Sequence, residues 1–196
     1  MKATESQLFS IPGLGEVVYS EAQIQTRVSE LAAEISSDYA EQELYLIGIL
    51  KGVLFFLADL MRELTTPSIV DFMAISRFGP SANSHGEARL LKDLDISLEN
   101  RHALVVDNIV DSGFTLSYLM RTLQARNPAS LEVCVLLNRP RRRLIDLPIK
   151  YVGFEAPDQF MVGYGLGMDE RLRQLSNIVY FDPEQNNSLR TKSPAS

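Results

Sequence analysis

An aspartate, a serine, a glycine and a threonine stand at Asp111, Ser112, Gly113 and Thr115, with Asp107 and Asn108 just upstream. Together they bring a carboxylate, two hydroxyls and an unhindered glycine amide to a single turn. Ala103 to Val106 before them is wholly apolar, the mark of a strand buried on both faces. Thr115 to Leu123 after them alternates apolar and polar residues at helical spacing. The stretch 103–118, ALVVDNIVDSGFTLSY, therefore reads as strand, polar loop and helix, with Asp107 and Asn108 at the mouth of the strand. Loops at the carboxyl ends of parallel strands are where open α/β sheets take ligands. Backbone N–H groups and the helix dipole make such a turn an anion site, and phosphate is its usual guest. Asp107 and Asn108 would face the hydroxyls of a sugar carried by that phosphate. A plainer use of the same residues is helix capping by Asp111 or Ser112. The turn is not a P-loop, because it lacks a GK[ST] ending, nor a dinucleotide fingerprint, because GxGxxG is absent.

The elements that must position this turn follow from the rest of the chain. Val17 to Tyr19 suggests a short strand. Ser20 followed by Gln23 forms a capping box ahead of an apolar stripe at Ile24, Val28, Leu31 and Ile35. Leu44 to Leu50 is a buried strand stopped by Lys51-Gly52, and Val53 to Leu64 is a largely buried helix. Lys51 and Gly52 thus occupy a second strand-to-helix turn of the ligand-binding kind. Ile69 to Ile75 is a strand, and Glu87 to Asp93 resumes a strand pattern. The polar excursion 76–87 between them is either a surface loop or a lid. Leu131 to Leu137 is a buried strand whose carboxyl end carries Arg139, a residue able to donate two hydrogen bonds into a cleft. Arg141 to Arg143 read as a solvated turn. Tyr151 to Glu155 and Ile178 to Phe181 are further strands, flanking the glycine- and aromatic-rich segment 159–165. His85 reads as a loop histidine and His102 as an exposed one ahead of its strand. Residues 1–15 and 184–196 lack patterning, and the latter read as a disordered tail.

Composition narrows the function classes. The chain has 196 residues, 45% of them hydrophobic and 22% charged, which fits one globular domain at 1–183. Its formal charge of −6 argues against general nucleic-acid binding, which needs a basic face. Cys134 is the sole cysteine, so no internal disulfide forms; its setting, LEVCVLL, marks a buried inert thiol. No apolar run approaches a membrane span and no signal peptide is evident, so a cytoplasmic protein is expected.

The central stretch resembles the phosphoribosyl-pyrophosphate (PRPP) motif of type I phosphoribosyltransferases. The flanking segments LIGILKGVLFFLADL (46–60), VDFMAIS (70–76), ARLLKDLD (88–95), YVGFEAPDQFMVGYG (151–165) and DERLRQL (169–175) are similar to the hypoxanthine-guanine phosphoribosyltransferase family. The resemblance implies a mostly parallel twisted sheet flanked by helices, an α/β fold with a small hood formed by the chain ends. It implies transfer of phosphoribose from PRPP to N9 of a 6-oxopurine, with Mg²⁺ as cofactor, in a homodimer or homotetramer. Carried over residue by residue, Asp111 is the general base. The turn Asp111, Ser112, Gly113, Phe114 and Thr115 holds the 5′-phosphate, and Asp107 and Asn108 hold the ribose. Lys51, Gly52 and Arg173 face pyrophosphate. Arg139, Phe160 and Met161 hold the base, with Asp107 as a metal ligand and Asp169, two residues beyond Gly167, as a substitute for the aspartate that the family has there. The loop at 76–87 would close over the site. Three positions depart from the family pattern: Asn108 stands where a second carboxylate is usual, Arg139 where a lysine is usual, and Gly167 where an aspartate that helps bind a second magnesium is usual. Alternatives of another kind are the same chemistry on a modified base, or a non-catalytic PRPP or nucleotide sensor.

Overall fold

The computed structural model of the chain describes residues 11–76 and 89–185. The lid expected at 76–87, apart from Ser76, and His85 lie outside the described residues. In chain order the elements are β1 (Leu14–Tyr19), α1 (Glu21–Asp38), β2 (Leu44–Leu50), α2 (Leu54–Glu63), β3 (Ser68–Ser76), β4 (Arg89–Lys92) and β5 (His102–Val110). They continue with α3 (Phe114–Gln124), β6 (Ser130–Asn138), a 3₁₀ turn (Pro140–Arg142), β7 (Tyr151–Glu155), β8 (Met161–Val162) and β9 (Ile178–Phe181). They divide into two compact units. One runs from Arg27 to Asp158; the other joins positions up to Thr26 with those from Gln159 onward.

The larger unit is built on a six-stranded sheet of order β4-β3-β2-β5-β6-β7. All neighbouring strands run parallel except β4, which is antiparallel to β3. The apolar runs that predict strands buried on both faces are so buried: Leu44, Leu46, Ile47 and Ala103 to Val106 have no exposure. One face packs with α3, where Leu116, Leu119 and Leu123 join Tyr45, Ile47, Val105, Val133 and Val135 in one core. From β2 the chain steps outward to β3 on one side, whereas β5, β6 and β7 fill the other side. The order therefore reverses between β2 and β5. That switch point, at the carboxyl ends of the strands, is where open α/β sheets form their ligand crevice. The β2–β5 ladder ends at Gly48↔Val106. Lys51-Gly52 and the segment from Asp107 onward thus emerge beside each other at one end of the sheet.

The smaller unit carries an antiparallel sheet, β1-β9-β8, over a core of Val162, Leu172, Leu175, Val179 and Phe181. Among the described residues, 11–26 and 159–185 do form a unit of their own, in keeping with the expectation of a hood. The capping box ahead of α1 is present: Ser20 N–H donates to Gln23 Oε1 at 2.9 Å, and Gln23 N–H donates to Ser20 Oγ at 3.3 Å. Ile24, Val28, Leu31 and Ile35 are fully buried.

Two expectations are corrected. The strand does not stop at Val106. It runs to Val110, because Asp107, Ile109 and Val110 continue the ladder with β6. Asp107 and Asn108 are strand residues, and Asn108 is buried. His102 is not an exposed histidine ahead of the strand. It opens β5, half-buried, with Nδ1 2.9 Å from Ser130 Oγ and its ring edge-on to Tyr39.

Candidate active site

With β5 extended, the turn proper is short: Asp111, Ser112 and Gly113. Gly113 is the N-cap of α3 with φ +88°, and no side chain caps the helix. Left-handed backbone favours glycine, and space demands it too. A Cβ at 113 would lie 3.0 Å from both Arg143 Cδ and the Ile145 carbonyl oxygen. The first amides of a helix have no partner within it, so this turn offers donors to an anion. Neither Asp111 nor Ser112 is spent as a side-chain cap, which removes the plainer reading of these residues.

The Asp111 carboxylate instead meets Arg139, whose Nη1 donates to Oδ1 at 3.0 Å. Arg139 is 6% exposed, while the Asp111 side chain retains 47% exposure. A buried, planar, charged donor thus orients a solvent-facing carboxylate. Arg139 follows β6, and its own N–H donates to the Val110 carbonyl at 3.0 Å, so the ends of β5 and β6 carry the pair together. The Ser112 carbonyl accepts from the amides of Leu144 and Ile145, at 2.9 and 3.2 Å. Upstream, Asn108 N–H donates to Asp107 Oδ1 at 2.7 Å, fixing that carboxylate within the last part of β5. On β2, Lys51 is exposed beyond the last strand residue and the Leu50–Lys51 peptide is cis. These residues, Lys51, Gly52, Asp107, Asn108, Asp111 to Thr115 and Arg139, all lie at the carboxyl end of the larger unit's sheet.

The remaining expected site residues belong to the smaller unit. Phe160 is 44% exposed, with its ring centroid 6.1 Å from that of Phe181. Met161 is buried in β8, paired with Tyr180. Arg173 turns onto its own loop: Nη1 donates to the Gly165 carbonyl at 2.7 Å and Nη2 lies 3.4 Å from Glu170 Oε2. Its Nε is buried without a hydrogen-bond partner among the described residues. Met168 and Arg171 exchange backbone hydrogen bonds around Asp169 and Glu170, both at positive φ, so Asp169 sits at an exposed hairpin tip. A Cβ at Gly167 would come within 2.7 Å of both the Arg171 carbonyl oxygen and Arg173 Cγ. Position 167 has no room for an aspartate while the loop keeps this shape.

Two features escaped the sequence reading. Asp71, inside β3, is buried and accepts from Tyr45 Oη (2.9 Å), the Phe72 amide (2.7 Å), the Asp95 amide (2.6 Å) and Lys92 Nζ (3.1 Å). The only signal for it was a carboxylate interrupting an apolar run. Arg143, read as solvated, turns inward onto the Asp111 turn.

A family model, the phosphoribosyl transferase domain, matches residues 17–170. The chain is 46% identical to the hypoxanthine-guanine phosphoribosyltransferase of Mycobacterium bovis over 179 residues, covering 88% of this chain and 89% of that one. It is 44% identical to the hypoxanthine-guanine phosphoribosyltransferase of Bacillus subtilis over 168 residues, covering 86% and 93%. The crystal structure of a hypoxanthine phosphoribosyltransferase from Staphylococcus aureus superposes with a TM-score of 0.86 at 38% identity, covering 93% of this chain and 98% of that one.

Proposed function

The chain belongs to the hypoxanthine-guanine phosphoribosyltransferase family, and from that premise we propose that it transfers the 5-phosphoribosyl group of PRPP to N9 of hypoxanthine or guanine, giving IMP or GMP and pyrophosphate. The observation that carries this reading is the Asp111–Arg139 pair, set beside an open helix N-terminus at the sheet's switch point.

In the reaction the bond from C1 to pyrophosphate breaks and a C1–N9 bond forms. Positive charge grows on the ribose and negative charge on the leaving group. Fixing both phosphate ends sets the reacting atoms in line, and donors aimed at the leaving group lower the barrier. The amides of Ser112, Gly113, Phe114 and Thr115 hold the 5′-phosphate. Asp107 and Asn108 hold the ribose hydroxyls. Lys51 and Gly52 act on pyrophosphate. Asp111 takes the proton from purine N7. Arg139 orients that carboxylate and donates to the 6-oxo group, favouring hypoxanthine and guanine over adenine. Phe160 offers its exposed face for stacking, and Met161 offers its main chain to the base edge.

Magnesium belongs to the same proposal. Among the described residues no group of three or more His, Cys, Asp or Glu is placed to hold a metal. Mg²⁺ takes one or two carboxylates together with substrate phosphate oxygens rather than an all-protein cage. Asp107, tethered at its Oδ1, therefore fits as a carboxylate for Mg²⁺ delivered on PRPP, with exposed Asp169 as the second candidate. The ion, when bound, neutralises charge on the departing pyrophosphate. Assembly as a homodimer or homotetramer and residence in the cytoplasm complete the reading; no helix among the described residues is long and apolar enough to cross a membrane.

The test is pyrophosphate release from PRPP and Mg²⁺ across a panel of bases. Turnover with hypoxanthine or guanine supports the proposal. Turnover confined to a modified base redirects it to another acceptor, and PRPP binding without turnover points to a sensor.

A further inference from the structure

Of the three consecutive arginines after Pro140, two face outward. Arg141 is exposed, and Arg142 pairs with Asp158 at the surface. The third behaves differently. Arg143 Nε donates to the Asp111 carbonyl at 3.2 Å, and its Nη2 donates to Asn138 Oδ1. Its Cδ closes the space beside Gly113. One guanidinium thus ties the turn after β5 to the last residue of β6.

We propose that Arg143 is a positioning residue for the phosphate-binding turn: by gripping the Asp111 carbonyl and the Asn138 side chain, it keeps Asp111–Gly113 in the shape that presents the turn's amides to the 5′-phosphate of PRPP. The inference rests on the functional reading above and assigns the turn a brace from the segment after β6. A planar fork with directed donors can span a carbonyl in a turn and a side-chain amide oxygen on a neighbouring strand, whereas the point charge of a lysine cannot hold both. Burial is the largest influence on Arg143 and pulls its pKa down, against Asp146 and Asp111, yet a guanidinium stays charged at neutral pH. The partial desolvation it accepts is offset by two charge-assisted hydrogen bonds. The main-chain bonds from Leu144 and Ile145 to Ser112 do not depend on the side chain, so the turn persists without Arg143 but loses its shape on one side.

The experiment is steady-state kinetics of the full chain with PRPP and Mg²⁺, together with calorimetric titration of PRPP. Arg143→Met keeps the stem and removes the donors. It is expected to raise KM for PRPP about tenfold, equivalent to about 1.4 kcal/mol, while KM for the purine stays within about twofold. Arg143→Lys is expected to follow Arg143→Met. A variant that only lost folded protein would lower apparent kcat and leave both KM values where they were, and that result overturns the proposal. Equal PRPP affinity in wild type and Arg143→Met, or full rescue by lysine, also overturns it. A wild-type chain that binds no PRPP defeats the functional reading and this inference with it, whereas an active wild type with an indifferent Arg143→Met defeats this inference alone. If Arg143→Met does not fold, Asn138→Ala carries the test. Losing one acceptor is expected to raise KM for PRPP about threefold, and no rise overturns the proposal.

Discussion

Asp71 and Asp111 are carboxylates of the same unit, one inside β3 and the other in the turn that follows β5. Asp71 is closed in, with four donors on it, from Tyr45, Phe72, Lys92 and Asp95. The Asp111 carboxylate has one protein donor among the described residues, Arg139, and about half of its side chain faces solvent. Burial acts to raise the pKa of Asp71. The amides of Asp95 and Phe72, followed by Lys92 and Tyr45, outweigh it and hold the group down at about 2. A carboxylate saturated with donors has no place for a substrate proton; it ties β3 to β4 and to the segment after it. A carboxylate aimed by a single cation keeps an accessible lone pair. The number and accessibility of partners, rather than residue type, separates a fastener from a reagent.

The largest expected effect tests the reagent. Asp111→Asn removes the proton acceptor and keeps the shape of the turn. Its turnover is expected to fall about 10²–10⁴-fold while its thermal midpoint stays close to wild type. Pyrophosphate release together with a melting curve checks both halves, and an unchanged rate would remove Asp111 from the chemistry.

The fastener is expected to do the reverse. Asp71→Asn leaves a half-satisfied buried site and is expected to cost about 2 kcal/mol of stability, read as a lower urea midpoint, with turnover per folded molecule within about threefold. A stable but slow Asp71→Asn protein would place Asp71 among the functional groups and dissolve the contrast.

A pH series sharpens the same point. The folded pKa of Asp71, about 2, lies below the ordinary value of 3.8. The charged form is therefore favoured by folding. Its stabilisation is fully present above about pH 5 and is lost as pH falls from about 4 towards 2, an effect of about 2 kcal/mol. Acid unfolding of wild type is expected to show this slope, and Asp71→Asn is expected to lack it.

The smallest effect concerns Cys134, fully buried on β6, where burial pushes its thiol pKa up. Native protein is expected to leave a thiol reagent unconsumed for as long as it stays folded. Labelling without loss of structure would show that this part of the sheet opens.

The contrast between the two aspartates also marks what the sequence could convey. The central strands were legible because their apolar runs are buried on both faces, and the shorter strands Tyr151–Glu155 and Ile178–Phe181 also fall where they were expected. The capping box at Ser20 and Gln23 and the stripe from Ile24 to Ile35 were legible because both are local patterns. The end of β5 was not. Asp107 and Asn108 look like loop residues, and only their pairing with β6, a partner some 30 positions away, keeps them in the strand. The chemistry-bearing residues around Asp111 were recognisable from type and spacing, but the Arg139 contact that orients the carboxylate, and the Arg143 grip behind it, are products of tertiary approach. Asp71 was invisible because, apart from the adjacent Phe72 amide, its donors Tyr45, Lys92 and Asp95 come from other parts of the chain. Gly167 was visible as a departure, and the structure supplies its physical side: the Arg173 stem and the Arg171 carbonyl occupy the space a side chain would need.

The most direct measurement is a crystal structure of the full chain soaked with IMP or with PRPP and Mg²⁺. The 5′-phosphate is expected on the amides of residues 112–115, with the Asp111 carboxylate beside purine N7 in the IMP complex. A phosphate lodged elsewhere, with those amides still facing only water, would contradict the assignment of this turn and the function built on it.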